Sequence, residues 1–532
     1  MNVTDFRKEL SIAAVLLVLS SVLAVGSVFY RTVPLADEAS YLSTALWIKE
    51  NGGVMNFIPL SIKGVYQESN RHPVYLLILS LFVERKPVFF AVAKIVTATL
   101  SLIFLTAYYL IVRKRFGFEA ALASVCLMLS NVVFIFWTGV VGCEILLMML
   151  MTVAWHYSLK GFEDNRYWAL AGLLTGLAYM TKATGLALIL PFSVACLVKY
   201  GRKVARNRWF YSYFILFLLV SSPLLVRNQV VYANPFYNFS QKVFWADEYI
   251  EYTRQDYGYT ASFSDYLKTH TPSQMLIREA RGLVEVSFNI ISQLGFILGP
   301  IFALFMASSL LGRNIETRVY VLVLALTFLL FFAWFTPVES DFRYELPLMP
   351  ILAAYSADGL IKGLRGNSGL MKVIAQISAI YLALIVVVMT AFMAFNVKER
   401  YDGGGLMMYE VPGDYKSLLE WLNANLEYGD YVLRQPGMNS YSAYDWTSER
   451  VSSARFFTYP YRVGKQPEEL LSENNITFFI MTKDLAFDEP AVQDYFGYDK
   501  SRGIYEKKGV KGYGVVFRDG TLPTTYLVYR KL

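Results

Sequence analysis

Charge is scarce in this chain. Asp, Glu, Lys and Arg make up 17% of its 532 residues, too little to clothe an ordinary soluble globule, while 55% of the residues are hydrophobic and 16% aromatic. Cysteine is scarcer still: Cys126, Cys143 and Cys196 all lie inside apolar runs, which excludes a disulfide framework in outer loops. His72, His156 and His270 stand apart from one another, with no zinc-ligand spacing around them. No Gly-rich phosphate loop, internal repeat or low-complexity tract occurs, so nucleotide chemistry of the P-loop kind and solenoid architectures are set aside. The net charge of +7 does not indicate a nucleic-acid partner, because the basic residues fall in short clusters between apolar runs and not along a polar face interleaved with aromatics.

What is abundant is long apolar runs. A membrane-spanning helix needs about 20 mostly apolar residues, and eleven candidates occur, near residues 11–29, 88–112, 118–137, 139–159, 167–181, 184–198, 209–226, 286–311, 319–335, 345–361 and 373–395. The first follows Arg7 and Lys8 but is long for a signal segment and has no clear small-residue cleavage site, so an uncleaved first span is expected. An odd number of spans puts the two ends of the chain on opposite sides. Basic connections at residues 113–115 (RKR), 199–208 (KYGRKVARNR), 312–318 (GRNIETR) and 362–372 (KGLRGNSGLMK) all alternate onto one side, which the positive-inside rule makes cytoplasmic.

The opposite side receives the loops 30–87 and 228–285, the short stretch VESDFRYE and everything beyond residue 396. The expectation is an all-α polytopic membrane domain over residues 1–396 and a small soluble α/β domain over 397–532 on the extracytoplasmic face. The N-terminus would lie in the cytoplasm of a multi-pass cell-membrane protein. In the tail KSLLEWLNANL reads as an amphipathic helix, and YVLRQ, ITFFIMT, GVVFR and TYLVYR read as strands. Two Asn-x-Ser/Thr sequons, at Asn238 and Asn475, fall in outer segments and permit glycosylation there.

A charge within a spanning segment costs roughly 2.5–3.5 kcal/mol on insertion scales, so such residues usually face a cavity or a partner. Four stand out near the outer boundary: Lys182 between two short apolar runs, Glu144 in VVGCEILL, Arg343 in DFRYELP and Arg71 in NRHPVYLL. The adjacent pair Asp37 and Glu38 follows the first span in RTVPLADEASY. Each has a plainer explanation taken singly. Arg71, Arg343 and Lys182 would serve as interfacial anchors, Glu144 as the structural partner of Lys182, and Asp37 and Glu38 as first-turn acids of the helix that ASYLSTALWIKE suggests. Three cations and three acids together on one side describe a site for an anionic lipid headgroup better than scattered anchors do.

At these residues the sequence resembles the polytopic GT-C glycosyltransferases, specifically the group containing the protein O-mannosyltransferases and the lipid A aminoarabinose transferase. ADEASY resembles their first-loop acidic motif, RHPVYLLILSLF their loop return and GCEILLMMLMTVAW their acid-bearing fourth span. AGLLTGLAYMTKATGLALILP resembles their short paired spans with a cation in the turn, VRNQVVYANPFY the exit from the seventh span, and FRYELPLMP the Arg-Tyr-x-x-Pro re-entry. The order and spacing match over roughly the first 400 residues. The WWDYG signature of oligosaccharyltransferases is absent, AYDWTSE at residues 443–449 differing in order, and the first-loop acids are adjacent where those enzymes carry a split pair.

The resemblance implies a sugar donor esterified to a polyprenyl phosphate such as a dolichyl phosphate, membrane lipids as surroundings, an acceptor that is protein, glycan or lipid, and inversion at the anomeric carbon. Arg71, Lys182 and Arg343 would then bind the donor phosphate and stabilise charge on the leaving oxygen. Asp37 would take the acceptor proton. Glu38 and Glu144 would hold sugar hydroxyls or orient the acceptor, and His72 and Tyr344 would line the substrate site. No cofactor is implied, and no metal is expected, although Glu339 and Asp341 leave room for a divalent cation. The competing readings are an oligosaccharyltransferase-like enzyme and a transporter or flippase for a lipid-linked sugar; repeated halves and broken helices, common in transporters, are not apparent in the sequence.

Overall fold

The computed structural model describes residues 3–30, 36–84, 86, 88–247, 262–367, 369–402, 413–427, 429–434, 451, 455–458, 475–482, 498–499, 504–505, 513–518 and 526–532. Helices dominate it. In chain order they are α1 (Val3–Tyr30), α2 (Ala36–Glu50), α3 (Gly53–Ile62), α4 (Pro73–Ser80), α5 (Val88–Phe116), α6 (Phe118–Ser130), α7 (Val132–Thr138), α8 (Glu144–Lys160), α9 (Tyr167–Thr181), α10 (Ile189–Tyr200) and α11 (Arg208–Tyr232). There follow α12 (Phe263–Thr269), α13 (Pro272–Gln293), α14 (Gly299–Leu311), α15 (Ile315–Phe335), α16 (Met349–Arg365), α17 (Gly369–Asp402) and α18 (Gly413–Asn425).

Each expected span falls on one of these helices or on a bent pair. Six segments among the described residues are long and apolar enough to cross a bilayer alone: Ser11–Tyr30, Val88–Phe116, Ala183–Arg206, Arg208–Tyr232, Ile315–Phe335 and Gly369–Glu399. At 15 residues α9 rises only about 23 Å, short of the roughly 30 Å hydrocarbon core. Its end carries Lys182, and it packs on α8 and α11.

Three spans depart from the sequence reading. The third is broken at Asn131, where α6 and α7 meet at 77°, and the eighth is two helices, α13 and α14, turned by 117°. Intact helices were part of the case against a transporter, and that part does not hold. The fourth span begins at Glu144 and not at residue 139, because residues 139–143 form a tight turn. Gly282 brings α13 onto α15 so closely that a Cβ there would lie 1.7 Å from the Ala333 carbonyl oxygen.

Ion pairs tie the basic connections together. Arg113 meets Glu9, Lys199 meets Glu316 at 2.7 Å, Arg313 and Lys362 both meet Asp358 at 2.6 Å, and Arg365 meets Glu119 at 2.9 Å. Each pair joins ends that alternation assigns to the same side, so the basic segments gather at one end of the bundle.

In the tail, five strands run in the order β2 (Arg455–Thr458), β1 (Tyr431–Arg434), β3 (Phe478–Thr482), β7 (Tyr526–Lys531), β6 (Tyr513–Arg518), and β4 (Tyr498–Asp499) pairs separately with β5 (Ile504–Tyr505). β1 is parallel to both neighbours, while β7 is antiparallel to β3 and β6. Alternation along β3 sends Phe478 and Ile480 into a cluster with Leu418 and Leu422 of α18 and Leu426 just beyond it, and Phe479 to the other face beside Tyr529. The segment 443–449 lies outside the described residues.

Candidate active site

The end of the bundle opposite the basic connections holds a cavity of ≈ 1000 Å³. Asp37, Arg71, His72, Glu144, Lys182, Arg343 and Tyr344 all line it, drawn from α2, the 66–72 loop, α8, the α9 terminus and the turn Phe342–Tyr344.

Asp37, in the first turn of α2, is bridged by two guanidiniums: its Oδ1 accepts from Arg71 Nη2 at 2.9 Å and its Oδ2 from Arg343 Nη1 at 2.8 Å. Burial alone would raise the Asp37 carboxyl, but Arg343 and Arg71 outweigh it and hold the group below the ordinary carboxylate value of 3.8. Arg343 Nε also lies 3.0 Å from Asp341, its Nη2 is 3.8 Å from Glu339, and its guanidinium sits 5.5 Å from the Trp137 ring and 5.4 Å from the Tyr344 ring. The acids weighed as metal ligands are thus turned toward Arg343. Among the described residues, no group of three or more His, Cys, Asp or Glu gathers to hold a metal.

Lys182 forms the second pole. Its backbone is extended between α9 and the 3₁₀ turn Ala183–Leu188, and its Nζ donates to Glu144 Oε1 at 2.9 Å. Glu144 Oε2 is buried without a partner and comes so near Gly142 that a Cβ there would lie 2.6 Å from it. Burial disfavours the Lys182 ammonium, and the Glu144 carboxylate overrides it, keeping the pKa above the usual lysine value.

His72 is built into the wall as a neutral ring. Nδ1 faces the Tyr179 carbonyl and Nε2 faces Asn238 Nδ2 at 3.1 Å, so Nδ1 carries the hydrogen and Nε2 accepts. Burial pushes its pKa down to about 4. Asn238, read from sequence as a sequon that permits glycosylation, is 7% exposed, lines the cavity and accepts from Ser240 N through its Oδ1. It is not presented for modification. Asn475, by contrast, is exposed in a turn.

Glu38 stays out of the cavity. It is 0% exposed, and its Oε1 accepts from Val141 N at 2.7 Å, pinning the turn that leads into Glu144. Neighbours on a helix point about 100° apart, which is why Asp37 and Glu38 diverge. Sequence reading missed the aromatic side of the cavity, Phe328, Phe331, Phe332 and Phe335 on α15; its signal was there, since these positions recur at helical spacing. It also passed over two buried cations outside the cavity: Lys94 donates to Val28 O at 2.8 Å, and Arg227 to the Glu68 carbonyl.

A family model described as dolichyl-phosphate-mannose-protein mannosyltransferase matches residues 70–226, the stretch carrying Arg71, Glu144 and Lys182. ArnT from Cupriavidus metallidurans bound to undecaprenyl phosphate superposes with a TM-score of 0.57 at 12% identity, over 99% of this chain and 98% of that one. The Archaeoglobus fulgidus oligosaccharyltransferase tethered with an acceptor peptide gives a TM-score of 0.52 at 12% identity, over 89% of this chain and 69% of that one. The archaeal oligosaccharyltransferase AglB from Archaeoglobus fulgidus in complex with an inhibitory peptide and a dolichol-phosphate gives 0.53 at 13% identity, over 90% of this chain and 70% of that one. Comparison of the sequence with curated proteins finds no match. The chain therefore has the fold of the GT-C membrane glycosyltransferases and resembles the protein O-mannosyltransferases and ArnT.

Proposed function

We propose that this protein transfers a sugar from a polyprenyl-phosphate-linked donor to an acceptor hydroxyl on the extracytoplasmic face of the membrane, with inversion. One observation carries the reading: a single cavity joins a charged wall of Arg71, Lys182 and Arg343 to an apolar wall of Val132, Phe136, Leu186, Phe328 and Phe331. A ligand that fills both is anionic at one end and hydrocarbon at the other. The solved relatives with undecaprenyl phosphate and dolichol-phosphate are consistent with such a ligand.

In the reaction the acceptor oxygen attacks the anomeric carbon while the bond from that carbon to the phosphate oxygen breaks. The phosphate leaves with the electron pair, and Asp37 takes the acceptor proton. Arg71 and Arg343, which hold Asp37, are the same groups that would receive the phosphate. Donor binding then shares their charge and loosens their grip on Asp37, restoring its basicity. Lys182 adds a third positive charge, and Glu144 Oε2 is left to accept a substrate hydroxyl. Leaving as an anion, the phosphate needs no strong general acid. Glu38, remote from the cavity, holds the turn before Glu144.

Residues 1–396 would carry this chemistry, with the N-terminus cytoplasmic and 397–532 as an outer domain that shapes acceptor choice. The two helix breaks favour the competing reading, a transporter for the same lipid. Incubating purified protein with a panel of polyprenyl-phosphate sugars and an acceptor extract separates the two. An enzyme releases free polyprenyl phosphate from at least one donor; a transporter releases none.

A further inference from the structure

The two helix breaks, far apart in sequence, meet in space. Asn131, at the α6–α7 break, accepts from Phe134 N through its Oδ1 at 3.0 Å and donates its Nδ2 to the main-chain oxygen of Gln293 at 3.1 Å. Gln293 is the last residue of α13 before that helix breaks in turn. Each break frees backbone groups that need partners, and here one side chain, Asn131, serves a freed N–H at its own break and a freed carbonyl at the other.

From this junction Gln293 reaches the active-site loop. Its Nε2 donates to the Phe342 carbonyl at 2.9 Å, and the N–H on the other side of that peptide bond, belonging to Arg343, donates to Asp341 Oδ1 at 2.9 Å. Both polar atoms of the peptide leading into Arg343 are therefore held. The same face of α13 makes two further contacts four and eight residues earlier: Asn289 lies against the Glu345 carboxyl, and Glu285 accepts from the Ser340 hydroxyl. Neither Asn131, Asn289 nor Gln293 lines the cavity.

A guanidinium sits at the end of a long side chain, so its aim depends on how firmly its backbone is set as well as on the acids that hold it. Functional groups need placement within about 0.5 Å and 10–20°, and a 1 Å error can cost about 10²-fold in rate. We propose that Gln293 is a positioning residue for Arg343, setting the Phe342–Arg343 peptide so that the guanidinium meets the donor phosphate in one orientation. The inference rests on Arg343 binding that phosphate.

Gln293 Oε1 is buried and has no partner, so Gln293→Leu removes one unsatisfied atom while orphaning another, the Phe342 oxygen. Melting should change little, and function should change much. The test measures kcat/KM for sugar transfer with Gln293→Leu and Gln293→Met alone, with Arg343→Lys and with Lys182→Arg, alongside thermal unfolding. Expected is a loss of about 10–100-fold in the wild-type and Lys182→Arg backgrounds, but under about twofold in the Arg343→Lys background, since a lysine has no fork to aim. An equal loss in all three backgrounds overturns the proposal, and so does failure of both Gln293 variants to fold, which makes the residue structural. Full activity of Arg343→Lys on its own sinks the phosphate-clamp reading and this inference with it, a result distinct from equal losses on top of an impaired Arg343→Lys.

Discussion

Replacing Asp37 with Asn keeps the shape of the side chain while changing its charge, its basicity and half of its hydrogen bonding. In the cavity Asp37 gives one oxygen to Arg71 at 2.9 Å and the other to Arg343 at 2.8 Å. Asn retains one acceptor and turns an NH₂ toward the second guanidinium. The Asp37 side chain is 42% exposed, so solvent screens both pairs and the stability at stake is about 1 kcal/mol or less. Its lowered pKa sets the sign with pH: the stabilisation is fully present above the unfolded value of 3.8 and is lost as pH falls through the folded value. Near neutrality the melting temperature of Asp37→Asn should therefore fall only slightly. Transfer should fall by roughly 10²–10⁴-fold, equivalent to about 2.7–5.4 kcal/mol of barrier. Affinity for polyprenyl phosphate should move the other way, tightening by up to about fivefold, because both arginines lose a competing carboxylate worth up to about 1 kcal/mol. Binding measured by calorimetry in detergent and turnover measured by release of labelled polyprenyl phosphate give the two signs independently. A variant within about threefold of wild-type turnover, or one that binds the lipid much more weakly, refutes the role given to Asp37.

Lys182→Met should destabilise the protein by about 3–5 kcal/mol because it leaves the 3%-exposed Glu144 carboxylate unpaired; thermal unfolding should show much of that loss recovered in Lys182→Met/Glu144→Gln, and no recovery would mean the pair is not what holds this corner. His72 is kept neutral, with its pKa down at about 4 against 6.5 when unfolded, so its contribution is present above pH 6.5 and is lost between pH 6.5 and 4 as the unfolded state takes up the proton. An unfolding free energy that declines by on the order of 3 kcal/mol less across that window in His72→Gln than in wild type checks this. On intact cells, a thiol placed at Asn425 should react with an impermeant reagent and one at Lys203 should not; the reverse pattern would invert the topology. Peptide mapping of protein from a glycosylating host should find no glycan on Asn238, which is buried against His72.

Hydrophobic length and loop charge are local properties, and the sequence alone was enough to place helices at every expected span, to sort the basic connections onto one end, to pick Arg71, Glu144, Lys182 and Arg343 as residues too costly to leave in lipid, and to mark the adjacent acids Asp37 and Glu38 beside them. What local pattern does not contain is direction and pairing. Asp37 and Glu38 are the same chemistry one residue apart, and only the rotation of α2 sends one into the cavity and the other against Val141. Asn238 satisfies a sequon, yet a histidine 166 positions away consumes its amide. The breaks at Asn131 and Gln293 are tied together because the Asn131 side-chain amide donates to the Gln293 carbonyl and the Gln293 side chain donates to the loop bearing Arg343, contacts that exist only once the bundle has closed. Periodicity reports which side chains avoid water; which polar atoms find one another across hundreds of residues is decided by packing.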